Sequence, residues 1–297
     1  MIIKARTRQF IQNALKEDIG VGDLTTTSIV SKVQRGKFII LAKEPCVVCG
    51  MVLAETCFDI IDDDIHFRPM VKDGEYAPTS KVIAHIEGRC KGILTAERTA
   101  LNFISWLSGI STLTDKFVNA VKTYKAQIMD TRKTIPTLRY LQKYAVRIGG
   151  GKNHRMGLYD EILIKDNHLA VASRSGLLAA NKNTIKDAVD KARKNGPRNK
   201  KIEIEVKTLP EFKEALAMNC DIIMLDNMKP ADIKTAIQLR DSYRIKKQDI
   251  GFKTLLEVSG NINLDNVAKV ASLGVDRISI GALTHSAPAI DFSLKAE

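Results

Sequence analysis

Apolar positions change their period along this chain, and the change divides it. Over residues 4–16, Phe10, Ile11, Ala14 and Leu15 fall on one helical face. GVGDLTT (20–26) breaks that pattern, with Asp23 placed to cap a following helix. GKFIILAK (36–43) and KVIAHIE (81–87) predict strands. Between them, residues 50–61 predict a helix with Leu53, Cys57, Ile60 and Ile61 inward. Residues 94–107 and 111–124 predict two further helices. Leu94, Leu101, Ile104 and Leu107 share one face of the first, and Leu113, Phe117, Val121 and Tyr124 share one face of the second. The first hundred residues therefore read as a small sheet covered by helices.

Beyond that point short apolar runs alternate with helical stretches. The runs are QIMD (127–130), EILIKD (161–166), KIEIEV (201–206), DIIMLDN (221–227), TLLEVSG (254–260) and RISIG (277–281). Helical stretches at 137–146, 184–193, 210–218, 230–240 and 264–273 separate them. This alternation predicts parallel strands with covering helices, as a barrel or as an open doubly wound sheet. No G-x-G-x-x-G follows the first run, which argues against the dinucleotide-binding version.

Composition narrows the class. A chain of 297 residues suits two domains, and 44% apolar with 27% charged residues is globular. No apolar run approaches the roughly 20 residues that span a bilayer. MIIKARTRQF lacks the apolar core of a secretory signal. Five cysteines without regular spacing argue for a reducing, cytoplasmic location. Cys46 and Cys49 form a C-x-x-C with no second pair nearby to close a zinc site. The net charge of +12 admits a basic surface, nucleic acid or small polyanions. KARKNGPRNKK (191–201) reads as a solvated helix end and loop, without the aromatic residues that stack on single strands.

The residues at the run ends point to polyanions. The first run ends in Asp130-Thr131-Arg132-Lys133, the second in Lys165-Asp166-Asn167-His168. The third carries Glu203 and Glu205, the fourth Asp226-Asn227, the fifth Glu257 and Ser259-Gly260-Asn261, the sixth Gly281-Ala282-Leu283. In α/β folds, sites lie at the C-terminal strand ends. Early cations suit carboxylates and phosphates. The middle carboxylates, Glu205 and Asp226, suit Mg²⁺ riding on phosphates. The late glycine turns offer backbone N–H groups to a phosphate. Gly149-Gly150-Gly151, followed by Lys152, His154 and Arg155, reads as a loop that approaches an anion closely.

DTRKT (130–134), GGGKNHRMGL (149–158), IKDNH (164–168), IEIEV (202–206), MLDN (224–227), VSGNI (258–262) and SIGALTHSAPAIDFSLK (279–295) occur in this order. With KEDIGVGDLT (16–25), they make the chain resemble the quinolinate phosphoribosyltransferases over essentially its whole length. The resemblance implies an α/β fold: an N-terminal α/β sandwich domain plus an incomplete parallel α/β barrel of six to seven strands. It puts the sandwich at 1–109, with the tail 285–297 packing back onto it, and the barrel at 110–284. It implies a homodimer or higher oligomer with shared sites, Mg²⁺ as cofactor, and no nucleic-acid or membrane partner. The implied reaction joins quinolinate to 5-phosphoribosyl-1-pyrophosphate, giving nicotinate mononucleotide, pyrophosphate and CO₂.

Site roles follow from the same resemblance. Arg132, Arg155 and Lys165 would hold the two carboxylates of quinolinate, with Arg98 in AERTALN (96–102) reaching them from the partner subunit. Lys133 and His154 would contact quinolinate or the pyrophosphate. Glu205 and Asp226 would engage the ribose hydroxyls and the Mg²⁺–pyrophosphate. Ser259, Gly260, Asn261, Gly281 and His285 would hold the 5-phosphate, and Thr131, Ala282 and Leu283 complete the substrate-binding set. Lys133, Lys165, Glu205 and Asp226 are the expected catalytic residues.

Asn261 stands where many family members have a second glycine, and 169–200 and 241–253 look like expanded surface loops. Two rivals remain open at this level. One is a paralogous phosphoribosyltransferase acting on a related acid, of the molybdenum-transport-associated type. The other is a basic nucleic-acid-binding protein, which leaves Glu205 and Asp226 unexplained.

Overall fold

A computed structural model describes residues 2–174, 184–247 and 254–297. The chain forms two compact units. One comprises residues up to Asp115 with Leu141–Gly150 and Ser286–Glu297; the other comprises Lys116–Tyr140 with Gly151–His285.

In the first unit, α1 (Ile2–Ile19) buries Ile11 and Leu15. The Asp23 carboxylate accepts from the Thr26 N–H at 2.9 Å and caps α2 (Leu24–Ile29). An antiparallel sheet follows from β1 (Arg35–Ala42), β3 (His66–Pro69), β5 (Val82–Arg89) and the C-terminal β12 (Phe292–Ala296), in the order β12-β1-β5-β3. The tail pairs directly with β1, from Phe38 opposite Ala296 to Ala42 opposite Phe292. A two-residue pair, β2 (Cys46–Val47) and β4 (Tyr76–Ala77), stands apart. In α3 (Met51–Ile61), Leu53, Cys57 and Phe58 are buried. Ile60 and Ile61 are only half-buried, because they sit in the last turn of the helix. All five cysteines are buried and unbridged.

Two helices were expected over 94–124; the structure has one, α4 (Cys90–Val121), of 32 residues. Gly109 marks a close approach where the sequence predicts a break. A Cβ there would lie 2.0 Å from the Pro288 carbonyl oxygen. The neighbouring hydroxyls serve the β2 region: Thr112 accepts from the Val47 N–H, and Ser108 accepts from the Cys49 N–H, each at 2.9 Å. The glycine run after α5 (Arg139–Ile148) is also structural. A Cβ on Gly149 would lie 2.3 Å from the Ser111 carbonyl oxygen, and Gly150 turns the chain at φ +85° where the helix ends. Gly150 ends α5 and Gly149 packs against α4; the reading of them as an anion loop does not hold.

The second unit is a six-stranded parallel sheet of β6 (Gln127–Met129), β7 (Ile162–Ile164), β8 (Ile202–Val206), β9 (Ile222–Asp226), β10 (Leu255–Ser259) and β11 (Arg277–Ser279). Their order is β6-β11-β10-β9-β8-β7, so neighbours in sequence are neighbours in space except that the first strand joins the last. Among the described residues no ladder joins β6 to β7, which leaves the barrel incomplete. Apolar β8 and β9 side chains, including Ile204, Ile222 and Leu225, are buried, as a sheet covered on both faces requires.

The helices of this unit are α6 (Asp166–Arg174), α7 (Thr184–Asn195), α8 (Leu209–Ala217), α9 (Pro230–Lys247), α10 (Val267–Ser272) and α11 (Ala282–His285). The expected loop at 169–200 is thus largely helical, with 175–183 outside the described residues. Of 241–253, α9 takes residues to Lys247 and 248–253 lie outside the described residues. The basic stretch has local work. Arg193 donates to the Met218 and Asn219 carbonyls at 2.6 and 2.9 Å, closing the end of α8. Lys200 and Lys201 face Asp160 and Glu161. No helix among the described residues is long and apolar enough to cross a membrane.

Candidate active site

A cavity of about 540 Å³ opens at the C-terminal ends of the second unit's strands. Thr131, Arg132 and Lys133 enter it after β6, Lys165 after β7, and Glu205 and Asp226 from β8 and β9. Ser259, Gly260 and Asn261 close the β10 side, and Gly281, Ala282 and His285 the β11 side. His154 and Arg155 reach it from the segment between β6 and β7. Of the residues expected within one subunit's own site, one is elsewhere. Leu283 is fully buried and does not line the cavity, because the short α11 turns it toward the core. Arg98 is exposed on α4 in the first unit. Asn227 lines the cavity and was not among the expected ligands.

The cations are held ready for an anion. Arg155 is 7% exposed; its Nη1 donates to the Glu161 carbonyl at 3.1 Å, and its Nε has no hydrogen-bond partner among the described residues. The Arg132 Nε is likewise buried without a partner. Burial, then the neighbouring Arg132 charge, lowers the Arg155 pKa, so the Arg155 guanidinium is costly to keep charged until an anion arrives. Lys165 Nζ is paired with Glu205, and Lys207 with Asp166 at 2.6 Å. The Lys207 pKa is raised mainly by Asp166, with Asp226 and Glu205 adding to it.

Strand period explains the carboxylates. Side chains two apart share a face, so Glu203 lies on the Glu205 face about 7 Å deeper along β8. There Glu203 meets Glu257 of β10 and His154, all buried. His154 Nε2 lies 3.0 Å from Glu203 Oε2 and 3.4 Å from Glu257 Oε1. Burial opposes a charged imidazole, while the Glu203 and Glu257 carboxylates raise the His154 pKa. The Arg155 N–H donates to His154 Nδ1 at 2.7 Å, which requires a lone pair on that nitrogen. Nε2 therefore carries the ring proton. Burial, then the neighbouring Glu257 charge, raises the Glu203 pKa. Ser279 donates to Glu257.

The remaining wall is backbone. Gly260 has φ +99°, and Asn227 and Asn261 each have φ +53°. A Cβ on Gly281 would lie 3.0 Å from both Lys133 Cδ and His285 Nε2. For a divalent cation, Glu205 and Asp226 offer two carboxylates from adjacent strands. Among the described residues, no third carboxylate, histidine or cysteine joins them in a cluster. That donor set fits an ion that keeps waters and is held largely by a substrate's phosphates. The cavity thus joins unsatisfied guanidinium groups, a carboxylate pair and glycine-bearing turns in one space. That suits positioning and electrostatic stabilisation of a polyanionic reaction.

Comparison with known proteins agrees. A family model described as "Quinolinate phosphoribosyl transferase, N-terminal domain" matches residues 23–108, and its C-terminal counterpart matches 110–295. The chain is 41% identical over 295 residues to a probable nicotinate-nucleotide pyrophosphorylase [carboxylating] of Methanocaldococcus jannaschii, covering 99% of this chain and 98% of that one. It is 37% identical over 298 residues to a quinolinate phosphoribosyltransferase [decarboxylating] of Nicotiana glauca, covering 97% of this chain and 81% of that one. The solved nicotinate-nucleotide pyrophosphorylase of Francisella tularensis superposes with a TM-score of 0.86 at 38% identity, over 99% of this chain and 97% of that one.

Proposed function

Because the chain belongs to the quinolinate phosphoribosyltransferase family, we propose a division of labour among its cavity residues for that reaction. The enzyme is a decarboxylating pentosyltransferase of NAD synthesis. It transfers the phosphoribosyl group of 5-phosphoribosyl-1-pyrophosphate to quinolinate and releases pyrophosphate and CO₂.

Arg132, Arg155 and Lys165 bind the two carboxylates of quinolinate. The observation that carries this is the buried Arg155, with an unused Nε beside a second arginine in the same state. Lys165 is released from Glu205 as the dicarboxylate arrives, which frees Glu205 for the ribose hydroxyls. Asp226 shares that task, and Lys133 faces the departing diphosphate. Glu205 and Asp226 would hold Mg²⁺ carried in on the diphosphate, where the ion neutralises the leaving group. The Ser259–Asn261 and Gly281 turns present backbone N–H groups to the 5-phosphate, with His285 beside them. No residue serves as a covalent nucleophile in this scheme. The acceleration comes from aligning the ring nitrogen with C1 and stabilising the charge that develops as diphosphate leaves.

The protein works in the cytoplasm, which five buried, unbridged cysteines support. It works as a homodimer or higher oligomer in which Arg98 completes the neighbour's site. Arg98→Ala and Asp226→Asn subunits exchanged at random in equal amounts should recover activity at roughly a quarter of all sites if the sites are shared, and none if they are not. For the reaction itself, purified protein with quinolinate, 5-phosphoribosyl-1-pyrophosphate and Mg²⁺ should yield nicotinate mononucleotide and CO₂. Turnover of nicotinate or another acid with no product from quinolinate would refute the assignment.

A further inference from the structure

Four asparagines knit the ends of β9 and β10 together where the strand ladder stops. The Asn227 N–H donates to the Ser259 carbonyl at 2.9 Å. Asn261 Nδ2 donates to Asn227 Oδ1 at 3.0 Å, and Asn227 Nδ2 donates to Asp226 Oδ1 at 3.1 Å. An ionised Asp226 can only accept, so the Asn227 amide has a single orientation: its N–H₂ faces the carboxylate and its oxygen faces the turn. On the far side, Asn266 Nδ2 donates to the Asn261 carbonyl at 2.8 Å, and Asn263 Oδ1 accepts the Asp265 and Asn266 N–H groups at 3.0 and 3.1 Å.

Backbone geometry requires these residue types. Asn227 and Asn261 both occupy the left-handed region at φ +53°, which asparagine enters more readily than other side-chain-bearing residues. Gly260 follows β10 directly at φ +99°, and a Cβ there would meet Asn227 Oδ1 at 2.2 Å. The Asn227 side chain therefore rests directly on Gly260.

We propose that Asn227 is a positioning residue that locks the Asp226 carboxylate to the Ser259–Asn261 turn at a fixed spacing, with the Asn261 side chain as the other half of the lock. The inference rests on the reading that this turn takes the 5-phosphate and Asp226 the ribose and diphosphate. On that reading the two asparagines fix the distance between the subsites for the two ends of 5-phosphoribosyl-1-pyrophosphate. The Asn261 amide then serves the lock, and the phosphate is met by the backbone of the turn.

Glycine variants test this, because glycine accepts φ +53° while the amide is removed. Asn261→Gly should raise KM for 5-phosphoribosyl-1-pyrophosphate about three- to ten-fold, the worth of one amide hydrogen bond of about 1 kcal/mol. KM for quinolinate should stay within about two-fold, and kcat should fall less than that KM rises. Asn227→Gly should do at least as much, and adding Asn261→Gly to it should cost nothing further, since the bond is already gone. Additive losses, or an unmoved KM for 5-phosphoribosyl-1-pyrophosphate in Asn261→Gly, would overturn the lock. Gly260→Ala separates the two levels. If it raises that KM while Asn261→Gly does not, the turn is the phosphate site but the lock is wrong. If it too leaves that KM unmoved, the turn is not the phosphate site and the lock falls with it.

Discussion

Replacing Arg155 by methionine removes a buried charge and keeps most of the volume, and two quantities should respond in opposite ways. In the free protein the guanidinium is held against burial and against the Arg132 charge, both of which lower its pKa. Its loss relieves that repulsion and forfeits the 3.1 Å bond to the Glu161 carbonyl, worth about 1 kcal/mol. Stability should then change by no more than about 1 kcal/mol, or roughly 2–4 °C in midpoint for a domain of this size.

Quinolinate binding should behave otherwise. A carboxylate that pairs with a desolvated guanidinium loses about 3 kcal/mol when the partner is truncated. That corresponds to roughly 150-fold in dissociation constant. Arg155→Lys keeps the charge but loses the planar fork, and should weaken binding by about ten-fold. Titration calorimetry with quinolinate alone reads the affinity, and a thermal melt of the same sample reads the fold. An Arg155→Met protein that binds quinolinate as tightly as the parent would remove Arg155 from the ligand site. A midpoint lowered by ten degrees or more would make it a structural residue instead.

Acid stability follows Asp62. The Arg89 hydrogen bonds hold its carboxyl below the usual 3.8, so this pair stabilises the fold above pH 4 and is lost as pH falls through the lowered value. Asp62→Asn should flatten the acid limb of a midpoint-versus-pH curve below about pH 4, and an unchanged limb would exclude the pair as its source. Gly109→Ala ought to gain about 1 kcal/mol from helix propensity. The 2.0 Å approach to the Pro288 oxygen should instead cost about 1–3 kcal/mol, read as a lower midpoint. Chelation should stop turnover and Mg²⁺ should restore it. Glu205→Gln and Asp226→Asn should each raise the Mg²⁺ concentration for half-maximal rate, and unshifted Mg²⁺ curves would place the ion elsewhere.

Most of the architecture was legible because parallel strands advertise themselves twice, by buried apolar runs and by the polar residues that follow them. DIIMLDN is a strand in its apolar half and a cavity wall at Asp226 and Asn227. Glycines were less legible. Gly109, Gly149 and Gly150 look alike in sequence, yet two admit a neighbouring carbonyl and the third turns a helix end. Only long-range contacts distinguish these uses, and local pattern carries no record of Pro288 or Ser111.

Depth within the barrel was the other thing hidden. IEIEV reads as one strand with two glutamates, and nothing in the string ranks them. The strand's period of two puts both on the inner face, so one must stand at the mouth and the other below it. Glu205 meets Lys165 at the rim. Glu203 meets His154 and Glu257, residues brought from a different loop and a different strand. A buried carboxylate is costly unless it is paired. The presence of Glu203 at that depth therefore implies a compensating group, and His154 supplies it while its Nδ1 accepts the Arg155 amide. The residue that looked like a ligand in the sequence thus also has partners inside the protein, with Nδ1 accepting the Arg155 N–H and Nε2 lying 3.0 Å from Glu203. It lines the cavity as well, so one side chain serves both the cavity wall and the buried carboxylates.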